Sequence, residues 1–221
     1  MLSKSTLTFL KDLKANNNRE WFTENKPRYE AAKADFEKFI DALISKIAAF
    51  DKSVAHQTAK NCVFRIYRDV RFSKDKSPYK THFGAHITSV VKRSEVHSSA
   101  GYYVHIEDGA SILAGGAYLP PSDWLNAIRQ EIDYNTEEFK KIINGADFKK
   151  YFGKIEGDKL SRPPKGYDPH HPEIELLKLK SFLASHNLSN KQLLADDLLS
   201  HSTKVFKTLY PFDSFLNRAK D

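Results

Sequence analysis

Asp108 and Gly109 lie between two stretches in which apolar and polar residues alternate, residues 101–107 and 111–118. An Asp-Gly pair is a strong signal for a two-residue turn, because glycine readily adopts the positive φ that such turns require. The alternation places successive side chains on opposite faces of a strand. The sequence therefore predicts an antiparallel hairpin, and the fold has to accommodate it.

Further strands are predicted before this hairpin, and helical patterns flank the strands on both sides. Residues 62–72 and 83–91 alternate like the hairpin strands. The remaining predictions are helices at residues 6–15, 19–24, from Pro27 towards residue 50, 122–132, 136–145, 173–182, and a last segment that starts at Ser189.

These elements predict the fold class. We expect a single α+β domain over residues 1–221, with a mainly antiparallel sheet in the middle of the chain flanked by N-terminal and C-terminal helices. Its parts are helical over residues 6–50, sheet over 60–120 and helical over 121–221.

Composition narrows the class of protein. With 221 residues and 40% hydrophobic content, the chain can bury one substantial core. No run of apolar residues approaches the eighteen that a membrane span needs, so we expect no membrane partner. A single cysteine, Cys62, cannot form an internal disulfide, and its apolar neighbours indicate an inert, buried thiol. We expect a cytoplasmic protein.

Residues 65–80 hold an unusual concentration of positive charge. Six basic and two acidic residues give this segment a net charge of +4, more than half of the formal +7 of the chain. The charges alternate with apolar residues that we expect to be built into the core. Because it is costly to fix several cations on a rigid element, the pattern favours either an anionic ligand or an internal ion network.

The predicted strand places Arg65, Tyr67, Asp69 and Arg71 on one face, with about 7 Å between successive members of the set. Under a functional interpretation, the two guanidinium groups bind a phosphate or carboxylate, and Asp69 orients them or acts as a general base. Under a structural interpretation, the same residues form a ladder of ion pairs. The sequence leaves both open.

Three lysines follow on a turn that Pro78 stiffens and Tyr79 can anchor. Such a turn would hold the lysine side chains over the same face. The ligand-binding residues predicted in this segment are Arg65, Tyr67, Arg71, Lys74, Lys76 and Lys80.

The sequence RIYRDVRFSKDKSPYKTHFGAHI in residues 65–87 resembles the signature of a widespread, mostly bacterial domain-of-unknown-function family. The resemblance extends to FLKDLKANNNREWFTENKPRYE, to GYYVHIEDGASILAGGAYLPPSDWLNAIRQEI and to RPPKGYDPHHPEIELLKLKSF, in that order. It covers roughly residues 7–182. It implies no activity, cofactor or catalytic residue.

A second polar segment, residues 162–172, is stiffened by prolines and contains Lys165, His170 and His171. Lys165 is a further candidate for binding an anion, and the two histidines are weak catalytic candidates, as is Asp69. The structural alternative is a rigid lead-in to the following helix. For each histidine taken singly, we favour this alternative.

Metal and cofactor motifs receive little support. His82 and His86 are four residues apart on a predicted strand, roughly 13 Å, which is too far to bind one ion. No glycine-rich phosphate-binding motif is present. We therefore predict neither a metal nor a cofactor.

Three functions remain. The basic segment can bind a small phosphorylated or carboxylated ligand, with or without catalysis. It can form an open surface for nucleic acid, with aromatic side chains that stack on bases. Alternatively, the ladder is structural and the protein acts through partners. Because the strand carries arginine and includes acids that would repel a nucleic-acid backbone, we favour the small ligand.

Overall fold

The structure, a computed structural model, describes residues 1–90 and 93–220. It has the predicted α+β architecture. The N-terminal helices are α1 (Lys4–Ala15), α2 (Arg19–Glu24) and α3 (Lys26–Ile47). The Ser3 hydroxyl caps α1 and the Asn18 side chain caps α2, each by accepting a hydrogen bond from a backbone N–H of the first turn.

A four-stranded antiparallel sheet follows, with strand order β1-β2-β3-β4. The strands are β1 (Phe83–Ile87), β2 (Gly101–Ile106), β3 (Ser111–Ala117) and β4 (Phe182–Leu188). The predicted hairpin at Gly109 is confirmed. Gly109 has a φ of 75°, a positive value that glycine adopts readily and that such a turn requires. The predicted strand 83–91 ends earlier, at Ile87, and Val91 lies outside the described residues.

The remaining helices are mostly short. They are α4 (Ala59–Cys62), α5 (Ser122–Tyr134), α6 (Thr136–Ile143), α7 (Ala146–Phe152), α8 (Ile174–Leu177), α9 (Asn190–Leu193) and α10 (Leu198–Arg218). Short 3-10 helices span Lys52–Val54 and Arg93–Ser98. No helix within the described ranges is long and apolar enough to cross a membrane.

Two predicted elements are wrong. Residues 62–72 do not form a strand: α4 ends at Cys62, and beyond it only isolated bridges at Val63 and Tyr67 remain. Phe72, expected in the core, is 96% exposed. The predicted helix 173–182 is only the single turn of α8, because the chain then extends into β4.

The chain divides into two compact units, which are described separately. The first comprises residues 1–87, 103–113 and 187–204; the second comprises the described residues of 88–102, 114–186 and 205–220. In the first unit, Phe83 of β1 packs against the ring of Phe36 at 5.5 Å and that of Phe9 at 6.4 Å. In the second, Phe139 packs against Phe215 at 4.9 Å.

Strand β2 separates two chemically different faces. Val104 and Ile106 are fully buried. Their neighbours Tyr103, His105 and Glu107 are only partly buried and point to the other face. The core therefore fixes the position of a polar row, which belongs to the candidate site.

Candidate functional site

The basic loop, residues 65–80, is a closed loop rather than a strand. Arg68 donates its backbone N–H to the carbonyl of Pro78 at 3.0 Å, and Lys80 donates to the carbonyl of Ile66 at 2.8 Å. Tyr67 and Tyr79 form an isolated antiparallel bridge between these two bonds. The ends of the loop are thus paired, and the residues between them form its tip.

Local ion pairs organise the tip. Arg71 Nη2 lies 2.7 Å from Asp69 Oδ2, and Arg71 Nε donates to Oδ1 at 3.0 Å. The hydrogen bonds from Arg71 lower the pKa of Asp69 to about 2. Such a weakly basic carboxylate is a poor general base at neutral pH. Arg68 likewise pairs with Asp75 at 2.5 Å. Both arginines are thus engaged by local carboxylates, Arg71 by the Asp69 that the structural interpretation had placed beside it, but within a loop and not on a strand face.

The loop is anchored to the N-terminal helices through Tyr79, as the sequence suggested. The ring of Tyr79 stacks on that of Phe22 with 3.9 Å between centroids and 14° between planes. The side-chain amide of Asn17 donates to the Tyr79 carbonyl at 2.9 Å and accepts from its N–H at 3.1 Å. Tyr67 joins this aromatic group but remains 53% exposed.

A groove of about 520 Å³ lies beside the tip. Its lining residues are Asn17, Asn18, Arg19, Val70, Lys76, Ser77 and Pro78. Of the predicted ligand-binding residues, only Lys76 lines this groove, and its ammonium group donates to the Val70 carbonyl at 3.0 Å. Lys74 is exposed on the tip.

Arg65 and Lys80 form a different environment at the base of the loop. The Lys80 ammonium lies 5.3 Å from the centre of the Phe64 ring and is partly buried. Burial, and then the positive charge of Arg65, lower the pKa of Lys80. Within the described part of the chain, no carboxylate lies within ion-pair distance of either cation, although Arg65 does contribute to the lowered pKa of Asp69.

The polar row on β2 is connected by hydrogen bonds. Tyr103 Oη lies 3.0 Å from His105 Nδ1, and His105 Nε2 lies 3.3 Å from Glu107 Oε2. The second oxygen of Glu107 accepts from the Thr81 hydroxyl at 2.8 Å and from the Lys14 ammonium at 3.3 Å. His105 and Glu107 side chains are only 17% and 15% exposed.

His82, just before β1, completes this group. Its ring stacks on that of His105 with 4.0 Å between centroids. Burial, followed by the fields of His105 and Lys80, lowers the pKa of His82 to about 4, so its imidazole is neutral at pH 7. One ligand atom from each of His82, His105 and Glu107 lies within 4.8 Å of the others. We call these three residues the histidine cluster.

Sequence reasoning missed the histidine cluster because it tested His82 only against His86. The structure pairs His82 with His105 instead, across neighbouring strands. A signal was present, since the predicted strand 101–107 places Tyr103, His105 and Glu107 on one face.

The candidates in residues 162–172 belong to the second unit. His171 uses both ring nitrogens: Nε2 lies 2.9 Å from Asp133 Oδ1, and Nδ1 accepts the N–H of Glu173 at 3.1 Å. These bonds fix the lead-in to α8, in agreement with the structural alternative. His170 and Lys165 are exposed.

A family model described as "Conserved hypothetical protein (DUF2461)" matches residues 5–215. The match spans nearly the whole chain. The chain belongs to the DUF2461 family. No curated protein and no solved structure matches it. Membership in the DUF2461 family agrees with the resemblance seen in the sequence and assigns no activity or ligand.

Proposed function

We propose that the protein binds a small anionic ligand, phosphorylated or carboxylated, through Arg65 and Lys80. The observation that carries this proposal is their environment: two cations lie in one another's field, one of them is partly buried, and neither has an ion-pair partner among the described residues. A partly buried cation without a counter-ion is destabilising, and a bound anion would offset that cost.

The chemistry of these two groups suits a phosphate or carboxylate. The guanidinium group of Arg65 offers a planar fork of donors, and the ammonium group of Lys80 adds a point charge. The other arginines of the loop are less available, because Arg68 and Arg71 already bind Asp75 and Asp69. The proposal therefore keeps Arg65 and Lys80 as the centre of the site and gives Arg71 no direct role.

Binding of inorganic phosphate, pyrophosphate and malonate, measured by isothermal titration calorimetry, tests the proposal. Arg65→Ala and Lys80→Met should each weaken binding by roughly 10–150-fold, because a hydrogen bond to a charged group contributes about 1.5–3 kcal/mol. Lys80→Met preserves an apolar stem over Phe64. Arg71→Ala is the matched control and should bind like the wild type.

Two results would overturn the assignment. One is the absence of measurable binding of all three anions to the wild-type protein at low ionic strength. The other is an equal loss of affinity in Arg71→Ala, which would mean that only the net charge of the loop matters. Circular dichroism of each variant shows whether the fold has survived.

A second candidate function, binding of single-stranded nucleic acid, is favoured by the tip of the loop. Phe72 is 96% exposed, and the Arg71 guanidinium lies 5.9 Å from the centre of its ring. An exposed aromatic ring beside cations is the combination on which bases stack. This function predicts that Phe72→Ala weakens binding of oligo(dT), that affinity falls steeply with salt, and that phosphate binding is unchanged.

A further inference from the structure

We propose that the histidine cluster, His82, His105 and Glu107, is a binding site for a divalent transition-metal ion of the zinc type. The three side chains supply two imidazole nitrogens and one carboxylate oxygen, and further coordination positions remain for water or another ligand. This inference does not depend on anion binding by Arg65 and Lys80.

The spacing of the donor atoms supports the site. All three ligand atoms lie within 4.8 Å of one another. The separation of His105 Nε2 and Glu107 Oε2 is 3.3 Å, which is long for a hydrogen bond between a nitrogen and a carboxylate. It is close to the separation of about 3.4 Å expected for two ligands of a tetrahedral ion with bonds of about 2.1 Å. The ring of His82 stacks on that of His105, so His82 would have to rotate out of this stack to direct a nitrogen at the same ion.

Hydrogen bonds from neighbouring side chains occupy one atom of His105 and one of Glu107, and they leave the second nitrogen or oxygen of each available to bind an ion. Tyr103 Oη occupies Nδ1 of His105, which directs Nε2 towards the ion. Thr81 and Lys14 occupy Oε1 of Glu107, which leaves Oε2. Metal-binding histidines and carboxylates in proteins are commonly oriented by such partners.

The backbone beneath the cluster is well fixed. His105 and Glu107 flank the fully buried Ile106, and His82 precedes the buried Phe83. Gly84 leaves room for the polar row, since a Cβ atom at that position would lie only 3.1 Å from Tyr103 Oη. His105 lies in β2, and His82 and Glu107 directly adjoin the ends of β1 and β2, so the backbone positions of all three ligands are set by the sheet.

The donor set also selects the class of metal. Two imidazoles and one carboxylate suit zinc, cobalt and iron, whereas magnesium and calcium prefer oxygen ligands throughout. With three protein ligands, a tetrahedral ion keeps one position open, as in sites where the ion activates water or polarises a bound oxygen.

The test begins with protein that has been treated with EDTA and dialysed. Titration with Zn²⁺ in a calorimeter should show one equivalent bound, and Co²⁺ should give the visible absorption of a four- or five-coordinate ion. Magnesium should produce no heat of binding at this site. His105→Ala and Glu107→Gln should abolish the stoichiometric Zn²⁺ binding and the Co²⁺ spectrum. Glu107→Gln keeps the size of the side chain and so protects against a trivial loss of folding.

Two further variants distinguish a metal site from a plain hydrogen-bond network. Tyr103→Phe removes only the outer partner of His105 and should weaken Zn²⁺ binding by roughly 10–100-fold. His56→Ala removes an exposed histidine of the same unit and should leave binding unchanged. The proposal is overturned if the wild type binds no equivalent of Zn²⁺ or Co²⁺, or if His56→Ala reduces binding as much as His105→Ala.

Discussion

Asn17 offers a quantitative test of how the basic loop is held. Asn17→Ala removes two hydrogen bonds to the backbone of Tyr79, at 2.9 and 3.1 Å, between residues 62 positions apart in the chain. A hydrogen bond contributes about 0.5–1.5 kcal/mol net, so the two together predict a loss of about 1–3 kcal/mol in the free energy of unfolding. For a chain of this size, each kcal/mol lowers Tm by roughly 2–4 °C.

The neighbouring asparagines are matched controls. Asn16 is exposed, and within the described residues its side chain donates to the nearby carbonyl of Asp12, so Asn16→Ala should cost less than about 0.5 kcal/mol. Asn18→Ala removes the cap of α2 and should cost about 0.5–2 kcal/mol.

Urea unfolding monitored by Trp fluorescence gives the free energies, and hydrogen exchange of the Lys80 amide reports on the loop itself. Only Asn17→Ala should accelerate exchange at Lys80, whose N–H closes the loop on the Ile66 carbonyl. If Asn17→Ala costs no more than Asn16→Ala, or if exchange at Lys80 is unchanged, the loop is not anchored through this side chain and the reasoning fails.

Two other predictions concern backbone strain and pH. Gly116→Ala should lower Tm in thermal unfolding far more than Gly109→Ala. Both glycines have a positive φ, but only at Gly116 would a Cβ atom collide with the carbonyl of Phe182. An equal decrease of Tm in the two variants would contradict this. The pKa of Asp75 is lowered to about 2, first by the Ser77 hydroxyl, so its contribution to stability is present above the ordinary value of 3.8 and is lost as pH falls towards 2. NMR titration of the Asp75 carboxyl carbon should show a midpoint near pH 2. A midpoint near 3.8 would refute the lowered pKa.

Elements specified by nearby residues could be predicted from the sequence. The break after α1 and the start of α2 follow from consecutive asparagines, whose side chains cap helices and compete with the helical backbone. The capping box formed by Ser189 and Gln192 starts α9 as expected. The hairpin between β2 and β3 was predicted from Asp108-Gly109, because glycine readily adopts the positive φ that Gly109 has in the structure.

The basic loop could not be predicted in this way. Its two-residue alternation is that of a strand, yet Asp69 and Arg71 are two residues apart because they pair within a turn. The hydrogen bonds between Asn17 and Tyr79, which connect the loop to the N-terminal segment, join distant parts of the chain. Likewise β4 lies within residues 121–221, which were expected to be helical, because it pairs with β3, a strand far back in the sequence.

The candidate site was predicted in part. Arg65 and Lys80 were both named from the sequence, whereas Arg71 is engaged by Asp69. The alternation in β2 would have placed His105 and Glu107 on one face. That His82 stacks on His105 depends on how β1 and β2 are aligned, and one sequence alone does not specify that alignment.

The two faces of β2 limit which mutations in this strand the protein can accept during evolution. A one-residue insertion or deletion within β2 would turn His105 into the interior and drive Val104 out to the surface, so it would disrupt the core and the histidine cluster together. We therefore expect insertions and deletions to be tolerated only outside the strand, and the polar row to vary only by substitution of one side chain for another. A core substitution such as Val104→Ala would also loosen the support under Tyr103 and His105, so Zn²⁺ binding at the proposed metal site should weaken even where the fold survives.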